Sequence, residues 1–176
     1  MKRYVTMIAC SLVAFAGLLH AQTGTTTLSV TVGPEAALTV TTGTTSLATT
    51  STTFGLPFTG STALTYQIRT TKSTGSGTLT LKITTDFGGT GGPSVGTPPS
   101  AGDTLQYTCT VSAPGTACTG SQTASTSAST SVATFGAGAS STKAGNSASV
   151  AWSLTDDPVY STGTYTATAT FTISAA

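Results

Sequence analysis

Runs in which apolar and polar residues alternate recur along the chain, and the most regular ones lie near its end. Residues 147–174 hold two such runs on either side of Asp156-Asp157-Pro158. Alternation with a period of two over this length predicts half-buried antiparallel strands. We expect the two runs to form a closing hairpin and to bury its apolar face. The residues expected to anchor the core there are Trp152, Leu154, Tyr165, Phe171 and Ile173.

Further alternating runs precede this closing pair and predict eight or nine short strands in total. They lie at 25–32, 36–42, 63–70, 77–84, 104–111 and 132–135. The runs at 63–70 and 77–84 are joined by a short polar loop, so we expect them to form a hairpin. Many short strands with closely spaced turn signals are typical of two packed sheets. The predicted fold class is all-β, an Ig-like two-sheet antiparallel β-sandwich with Greek-key character.

The first 21 residues have the pattern of a secretory signal peptide. Lys2 and Arg3 precede an apolar run from Tyr4 to Leu19, and Ala21 supplies a small residue for cleavage. Cleavage after Ala16 is the alternative. We therefore expect a protein secreted to the periplasm, the cell surface or the medium. Residues 22–176 should form one β-sandwich domain, and no stretch in them is long and apolar enough to span a membrane.

Charge and composition narrow the function of the remaining chain. Charged residues make up 6% of the sequence, and its single histidine, His20, lies in the signal peptide. Without a basic surface, we expect no binding to nucleic acid. Without histidine, the commonest general base and metal ligand is missing. We therefore predict a non-enzymatic protein with no catalytic residue, metal or cofactor.

Two cysteines, Cys109 and Cys118, remain after the signal peptide. A turn at 112–115 would place them opposite each other on two paired strands. In an exported chain such a pair is expected to form a disulfide. We predict that this bond staples a hairpin, with a stabilising effect of about 3 kcal/mol for so short a ring.

Three other features have structural and functional interpretations. Asp156 and Asp157 could offer carboxylates to Ca²⁺, but aspartates before a proline are also ordinary turn residues. The loop at 88–102 is dominated by glycine and proline, and long loops often carry function. Phe87 and Tyr160 fall outside the predicted inward faces, which makes them candidate ligand-binding aromatics.

Two stretches resemble secreted pilin-like proteins of the spore-coat-U and archaic chaperone–usher kind. Residues 25–55 (TTTLSVTVGPEAALTVTTGTTSLATTSTTFG) resemble the N-terminal region of that family, with a strand, a break, a second strand and then Phe-Gly. Residues 163–173 (GTYTATATFTI) resemble its closing strand, which begins with Gly-x-Tyr and alternates with threonine. The resemblance implies assembly by strand addition, in which one subunit completes the sheet of the next. Leu28, Val30 and Val32 would form the donor strand.

The sequence thus predicts an exported surface subunit of structural or adhesive, pilin-like function. Its expected partner is another copy of itself, in an oligomer or filament. Residues 22–32 could instead pair as an edge strand within their own domain. The alternative function is an extracellular module that binds carbohydrate or cell wall, with cell-surface glycans as its partners.

Overall fold

The computed structural model describes residues 23–49, 52 and 54–176. The predicted signal peptide, residues 1–21, lies outside this range. The described residues divide into a short N-terminal unit that ends at Thr31 and a larger unit from Val32 to Ala176. All strands lie in the larger unit.

The larger unit is an all-β sandwich of two antiparallel sheets. In the described part of the chain there are nine strands: β1 Glu35–Val40, β2 Phe58–Arg69, β3 Gly77–Thr85, β4 Leu105–Val111, β5 Thr116–Ala117, β6 Gln122–Thr123, β7 Thr130–Phe135, β8 Asn146–Leu154 and β9 Thr168–Ala175. Sheet A has the order β1-β2-β8-β4-β6, and sheet B has the order β5-β7-β3-β9. The all-β prediction is confirmed.

The hairpins predicted for 63–70 with 77–84 and for the closing runs are both wrong, because the chain changes sheet at every connection after β2. β2 pairs with β1 and β8 in sheet A, whereas β3 pairs with β7 and β9 in sheet B. The closing runs are likewise divided between β8 in sheet A and β9 in sheet B. Each strand has an apolar inner face. A connection that crosses to the other sheet buries this face just as a hairpin within one sheet does. Alternation therefore predicts the strands but not their partners.

The core lies between the sheets and consists of inward-facing side chains from the central strands. Tyr66, Leu79, Leu81 and Val150 are 0% exposed, and Trp152 is 6% exposed. The buried hydroxyls of Tyr66 and Tyr107 have backbone partners, Ser112 O and Ser131 O. Burial raises the pKa of both phenols. The hydrogen bond from Gly115 N–H to the Tyr66 oxygen and the contact of Tyr107 with the Thr130 hydroxyl offset part of that effect. Each ring is therefore buried without leaving its polar end unpaired.

The disulfide between Cys109 and Cys118 is present, but it joins the two sheets and does not cross a hairpin. Cys109 lies in β4 of sheet A, where it pairs with Val150. Cys118 follows β5 of sheet B and continues that pairing, since its N–H donates to Val132 O. The two Cα atoms are 5.5 Å apart. Because β5 is an edge strand of sheet B, the bond closes this side of the sandwich.

Threonine and serine, interrupted by Lys82, form two adjacent rows on the outer face of sheet B. β9 contributes Thr170, Thr172 and Ser174, and β3 contributes Thr78, Thr80 and Thr84. Their hydroxyls meet across the strands at 3.0 Å for Thr78 and Ser174 and at 2.8 Å for Thr84 and Thr170. β-Branched threonine suits an exposed strand face.

Candidate functional site

One side of the sandwich is open between two edge strands, β1 of sheet A and β9 of sheet B. Among the described strands, β1 pairs only with β2, and β9 pairs only with β3. The two edges contact each other across the gap between the sheets. No inward-facing residue of either strand is fully buried, in contrast to β3, whose inward side chains are all buried. An unpaired edge with an uncovered apolar face is a ready site for another strand.

A groove of about 890 Å³ lies beside these edges. Ile83, Leu105, Trp152 and Leu154 reach it from the core, and Val40 and Phe171 reach it from the two edge strands. These six side chains are apolar, whereas threonine and serine from residues 42–46 and 161–168 also line the groove. An occupant with one apolar face would remove the apolar part of the lining from water. The groove continues along residues 156–169, which connect β8 to β9 and begin β9.

β9 extends its alternation beyond the paired strand. From Tyr165 to Ala175, every second residue is half-buried and the residues between are exposed. β9 itself begins at Thr168, because β3 ends at Thr85 and offers no partner further along. Residues 164–167 thus continue the free edge beyond the sheet. A strand added here could pair with a longer edge than β9 alone provides.

The anchors expected from the closing runs divide between the core and this groove. Trp152 and Leu154 are buried in the core, at 6% and 4% exposure. Phe171 and Ile173 are half-buried on β9 and pack against the core from its open side. Tyr165 is also half-buried, and it lies before β9 in the segment that lines the groove.

Phe87 and Tyr160, the candidate ligand aromatics, both line the groove and are half-buried. The hydroxyl of Tyr160 donates to Asp103 Oδ2 at 3.0 Å, and Asp103 is only 3% exposed. Burial raises the pKa of the Tyr160 phenol, and the neighbouring Asp103 carboxylate raises it further. The phenol therefore stays protonated and keeps donating. This bond fixes the β8–β9 connection at the mouth of the groove.

The glycine-rich loop at 88–102 is held against the same connection. Ser161 N donates to Gly91 O at 2.7 Å. The Tyr165 ring lies directly on Gly92, where an added Cβ would come within 2.0 Å of Tyr165 Cε1. The Tyr165 hydroxyl donates to Ser161 O at 2.8 Å, so the tyrosine bonds back to backbone just before its strand. Glycine at position 92 is required by this close approach.

Asp86 ties the base of this loop together. Its carboxylate accepts hydrogen bonds from the N–H groups of Phe87, Val95 and Gly96 and from the Ser94 hydroxyl. Desolvation by burial raises the pKa of Asp86, but these four hydrogen bonds outweigh it, so the pKa lies below its usual value. The carboxylate is thus a structural anchor of the loop beside the groove.

The larger unit begins at the end of the sandwich opposite the groove. Glu35 begins β1 and pairs with Arg69 at the end of β2. The next residues, Thr70 and Thr71, are near the end of β9, since Thr71 N donates to Ala176 O at 3.1 Å. The groove instead contains Val40 from the far end of β1 and Thr168 from the start of β9. The root of the segment and the groove therefore lie at opposite ends of the larger unit.

Leu28, Val30 and Val32, the expected donor residues, are exposed side chains. They are 90%, 85% and 60% exposed, respectively. Residues 23–34 contain no strand, although the alternation at 25–32 predicts one. The strand prediction for 25–32 is therefore wrong for this chain alone. A strand needs a partner strand for its backbone hydrogen bonds, and none of the described strands pairs with residues 25–32.

Arg69 contacts the root of this segment through two different nitrogen atoms. Its Nε donates to Gly33 O at 2.8 Å, and its Nη2 donates to Glu35 Oε2 at 2.9 Å. The side chains of Arg69 and Glu35 are 46% and 75% exposed. Such an exposed ion pair stabilises the fold little, by about 0–1 kcal/mol. The contact fixes local geometry more than it adds stability.

The aspartates near the groove act as local anchors. The pKa of Asp157 is lowered, chiefly because Val159 N donates to its carboxylate at 2.7 Å. This is the turn function that the sequence suggests for Asp156-Asp157-Pro158. The described residues contain no group of three or more histidine, cysteine, aspartate or glutamate side chains placed to hold a metal ion.

Comparison of the chain with family models, curated proteins and solved structures finds no match in any of the three. Within the described ranges, no helix is long and apolar enough to cross a membrane.

The groove itself is the feature that the sequence does not reveal. The apolar positions on β1 and β9 have the same alternation as those of the central strands. Their incomplete burial follows from sheet order, which places both strands at edges on the same side. The sequence signal for the groove is the uninterrupted alternation from Tyr165 onward. This alternation begins before Thr168, where the pairing of β9 with β3 starts.

Proposed function

We propose that the protein is an exported, non-enzymatic surface subunit of structural or adhesive, pilin-like function that assembles with copies of itself. In this proposal, residues 22–32 of one copy enter the groove of the next copy as an added strand. The observation that carries the proposal is the pair of facing strand edges, β1 and β9, which are unpaired and leave an apolar groove open.

The chemistry of the segment matches that of the groove. Leu28, Val30 and Val32 alternate with Ser29 and Thr31, so one face of an added strand would be apolar. Full burial of each apolar side chain contributes about 1.5–3 kcal/mol, before the cost of association. The backbone of the segment would gain hydrogen bonds from a free strand edge. Strand addition of this kind uses main-chain hydrogen bonds for affinity and side-chain pockets for specificity.

The placement of the root and the groove favours a filament over a closed dimer. Gly33 and Glu35 lie at one end of the sandwich, and the groove lies at the other. Each contact would join different surfaces of the two copies and leave one free segment and one free groove. A head-to-tail contact of this type propagates unless its rotation closes a ring.

Deletion of residues 22–32 tests the proposal directly. We expect the truncated mature protein to remain monomeric and folded, while the full mature chain forms concentration-dependent filaments visible by electron microscopy. Assembly of the truncated protein at the same concentrations as the full chain would refute strand addition.

A matched pair of substitutions tests the same proposal without deleting the segment. Val30→Asp places a charge on the apolar face of the segment, and Ser29→Asp places the same charge on the opposite face. Both positions are exposed in the single chain, so neither substitution should change its melting temperature. Assembly, measured by light scattering, should be lost with Val30→Asp and retained with Ser29→Asp. Equal effects of the two would contradict the proposed orientation.

A carbohydrate-binding module is the second candidate, and the aromatics at the groove support it. Phe87, Tyr160 and Tyr165 are half-buried there, and Phe54 is 66% exposed. Aromatic rings with nearby hydroxyls suit the apolar faces of sugars. Binding to a glycan array that is lost in Phe87→Ala or Tyr160→Ala would favour this function. Filament formation without glycan binding would favour the surface subunit.

A further inference from the structure

We propose that Arg69 is a positioning residue that directs residues 22–32 toward a neighbouring copy by preventing their return to the groove of their own chain. This inference rests on the proposed function, because it concerns which copy the segment enters. It is carried by the contact of Arg69 Nε with Gly33 O at 2.8 Å.

The tightest return of the segment to its own groove would reverse direction next to β1 in a two-residue turn. Val32 would then pair with Glu35, and Gly33 and Pro34 would be the two central residues of a hairpin turn. Two-residue hairpins use type I′ or type II′ turns. Type I′ needs a positive φ at both central residues, which Pro34 cannot adopt. Type II′ remains, and it requires a positive φ at Gly33.

Gly33 does not have this conformation in the structure. Seven glycines of the described residues have a positive φ, and Gly33 is not among them. The type II′ turn would require a different φ at Gly33, so the reversal would disturb the backbone at the residue whose carbonyl Arg69 holds. The Arg69 contact therefore opposes the reversal.

The second Arg69 contact makes this arrangement specific to arginine. Nη2 holds Glu35 Oε2, while Nε holds the Gly33 carbonyl. A guanidinium can make both bonds in fixed geometry, whereas a lysine ammonium is a compact point charge. Lysine at position 69 would keep the ion pair with Glu35, which is the stronger partner, and lose the carbonyl contact.

Four variants of the full mature chain test the assignment. Arg69→Ala removes both contacts, Arg69→Lys retains the charge, and Glu35→Gln removes the ion pair but leaves the Gly33 contact. Lys143→Ala is the control, since it removes an exposed cation elsewhere on the sandwich. We expect the concentration at half-assembly to rise about fivefold in Arg69→Ala and Arg69→Lys, equivalent to ~1 kcal/mol. Glu35→Gln and Lys143→Ala should assemble like the wild type.

A second measurement distinguishes return of the segment from loss of a surface ion pair. In dilute Arg69→Ala protein, an occupied groove should raise the melting temperature, whereas a purely structural contact would lower it or leave it unchanged. Adding Val30→Asp should reverse that rise. In dilute wild-type protein, Val30→Asp should have no effect, since Val30 is 85% exposed.

Different experimental outcomes would refute strand addition and the role of Arg69. If Val30→Asp leaves wild-type assembly intact, strand addition is wrong and the role of Arg69 is overturned with it. If Val30→Asp abolishes assembly while Arg69→Ala and Arg69→Lys assemble at wild-type concentrations, only the role of Arg69 is overturned. A Glu35→Gln protein that assembles as poorly as Arg69→Ala would also overturn it, because the ion pair would then be responsible.

Discussion

The indole nitrogen of Trp152 donates a hydrogen bond of 2.8 Å to the hydroxyl of Thr62, and both side chains are buried. The residues belong to neighbouring strands, β8 and β2, and lie 90 positions apart. The Thr62 hydroxyl also meets that of Thr45 at 2.6 Å. This short chain of polar groups supports the wall of the groove from inside the sandwich.

Replacement of Thr62 by valine should destabilise the protein although the two side chains have nearly the same shape. The Trp152 N–H would remain buried without an acceptor, at a cost of about 1–3 kcal/mol. Chemical denaturation measures this cost, and Ser61→Ala, at an exposed position on the same strand, is the control. If Thr62→Val is as stable as Ser61→Ala, the hydrogen bond does not contribute to stability.

Loss of the disulfide should destabilise the sandwich by about 3 kcal/mol, as expected for a short ring. The bond spans 9 residues and ties sheet A to sheet B. Replacement of Cys109 and Cys118 by serine should lower the melting temperature, and a reducing agent should lower that of the wild type similarly. The double variant provides the control, since it should not respond to the reducing agent. A response of that variant would assign the effect to something other than this bond.

Asp86→Asn should destabilise the loop at 88–102 near neutral pH. An amide offers one oxygen to the four donors that the carboxylate satisfies, and its own N–H₂ group faces those donors. We expect a lower melting temperature and faster proteolytic cleavage within the loop. Ser94→Ala removes one donor and should have a smaller effect.

The same substitution should remove a pH-dependent contribution to stability. The folded-state pKa of Asp86 lies below the usual value for an aspartate. A depressed pKa stabilises the fold above about pH 4 and loses its effect as the pH falls through the folded-state pKa. The stability difference between wild type and Asp86→Asn should therefore shrink between pH 7 and about pH 2.5. A constant difference across this range would contradict a charge-dependent role.

Tyr160→Phe should destabilise the groove mouth more than Tyr165→Phe. Tyr160 donates to the carboxylate of Asp103, which is 3% exposed, whereas Tyr165 donates to the more accessible Ser161 carbonyl. A buried carboxylate that loses a donor is costly, by about 1–3 kcal/mol. Hydrogen exchange of residues 156–167 measures the effect locally. Equal exchange in the two variants would mean that the Asp103 contact does not hold this connection.

The sequence predicts the strands and their inner faces well, because both depend on local alternation. Leu79, Leu81 and Ile83 are 0%, 0% and 2% exposed, as the alternation of 77–84 indicates. Pairing is a different matter, since β3 could meet β2 in a hairpin or cross to the other sheet with the same residues inside. Only the total packing of both sheets decides between these arrangements.

The candidate site was harder to predict than the fold. Phe171 and Leu81 occupy equivalent positions in their patterns and pair directly, yet only Leu81 is fully buried. The difference arises because β3 lies between two strands and β9 lies at an edge. The resemblance to pilin-like proteins pointed to the N-terminal segment, but the location of the groove required the sheet order.

The rows of threonine and serine on sheet B have a consequence for the environments in which the protein can work. Charged residues make up only 6% of the sequence, and Lys82 is the one charged residue within these rows of hydroxyl groups. Dissolved ions screen the attraction and repulsion between charges, and this face of sheet B carries few charges to screen. We expect hydration of these hydroxyl groups, more than charge, to determine the solubility of the protein. We expect its solubility to change little between low and high salt concentrations.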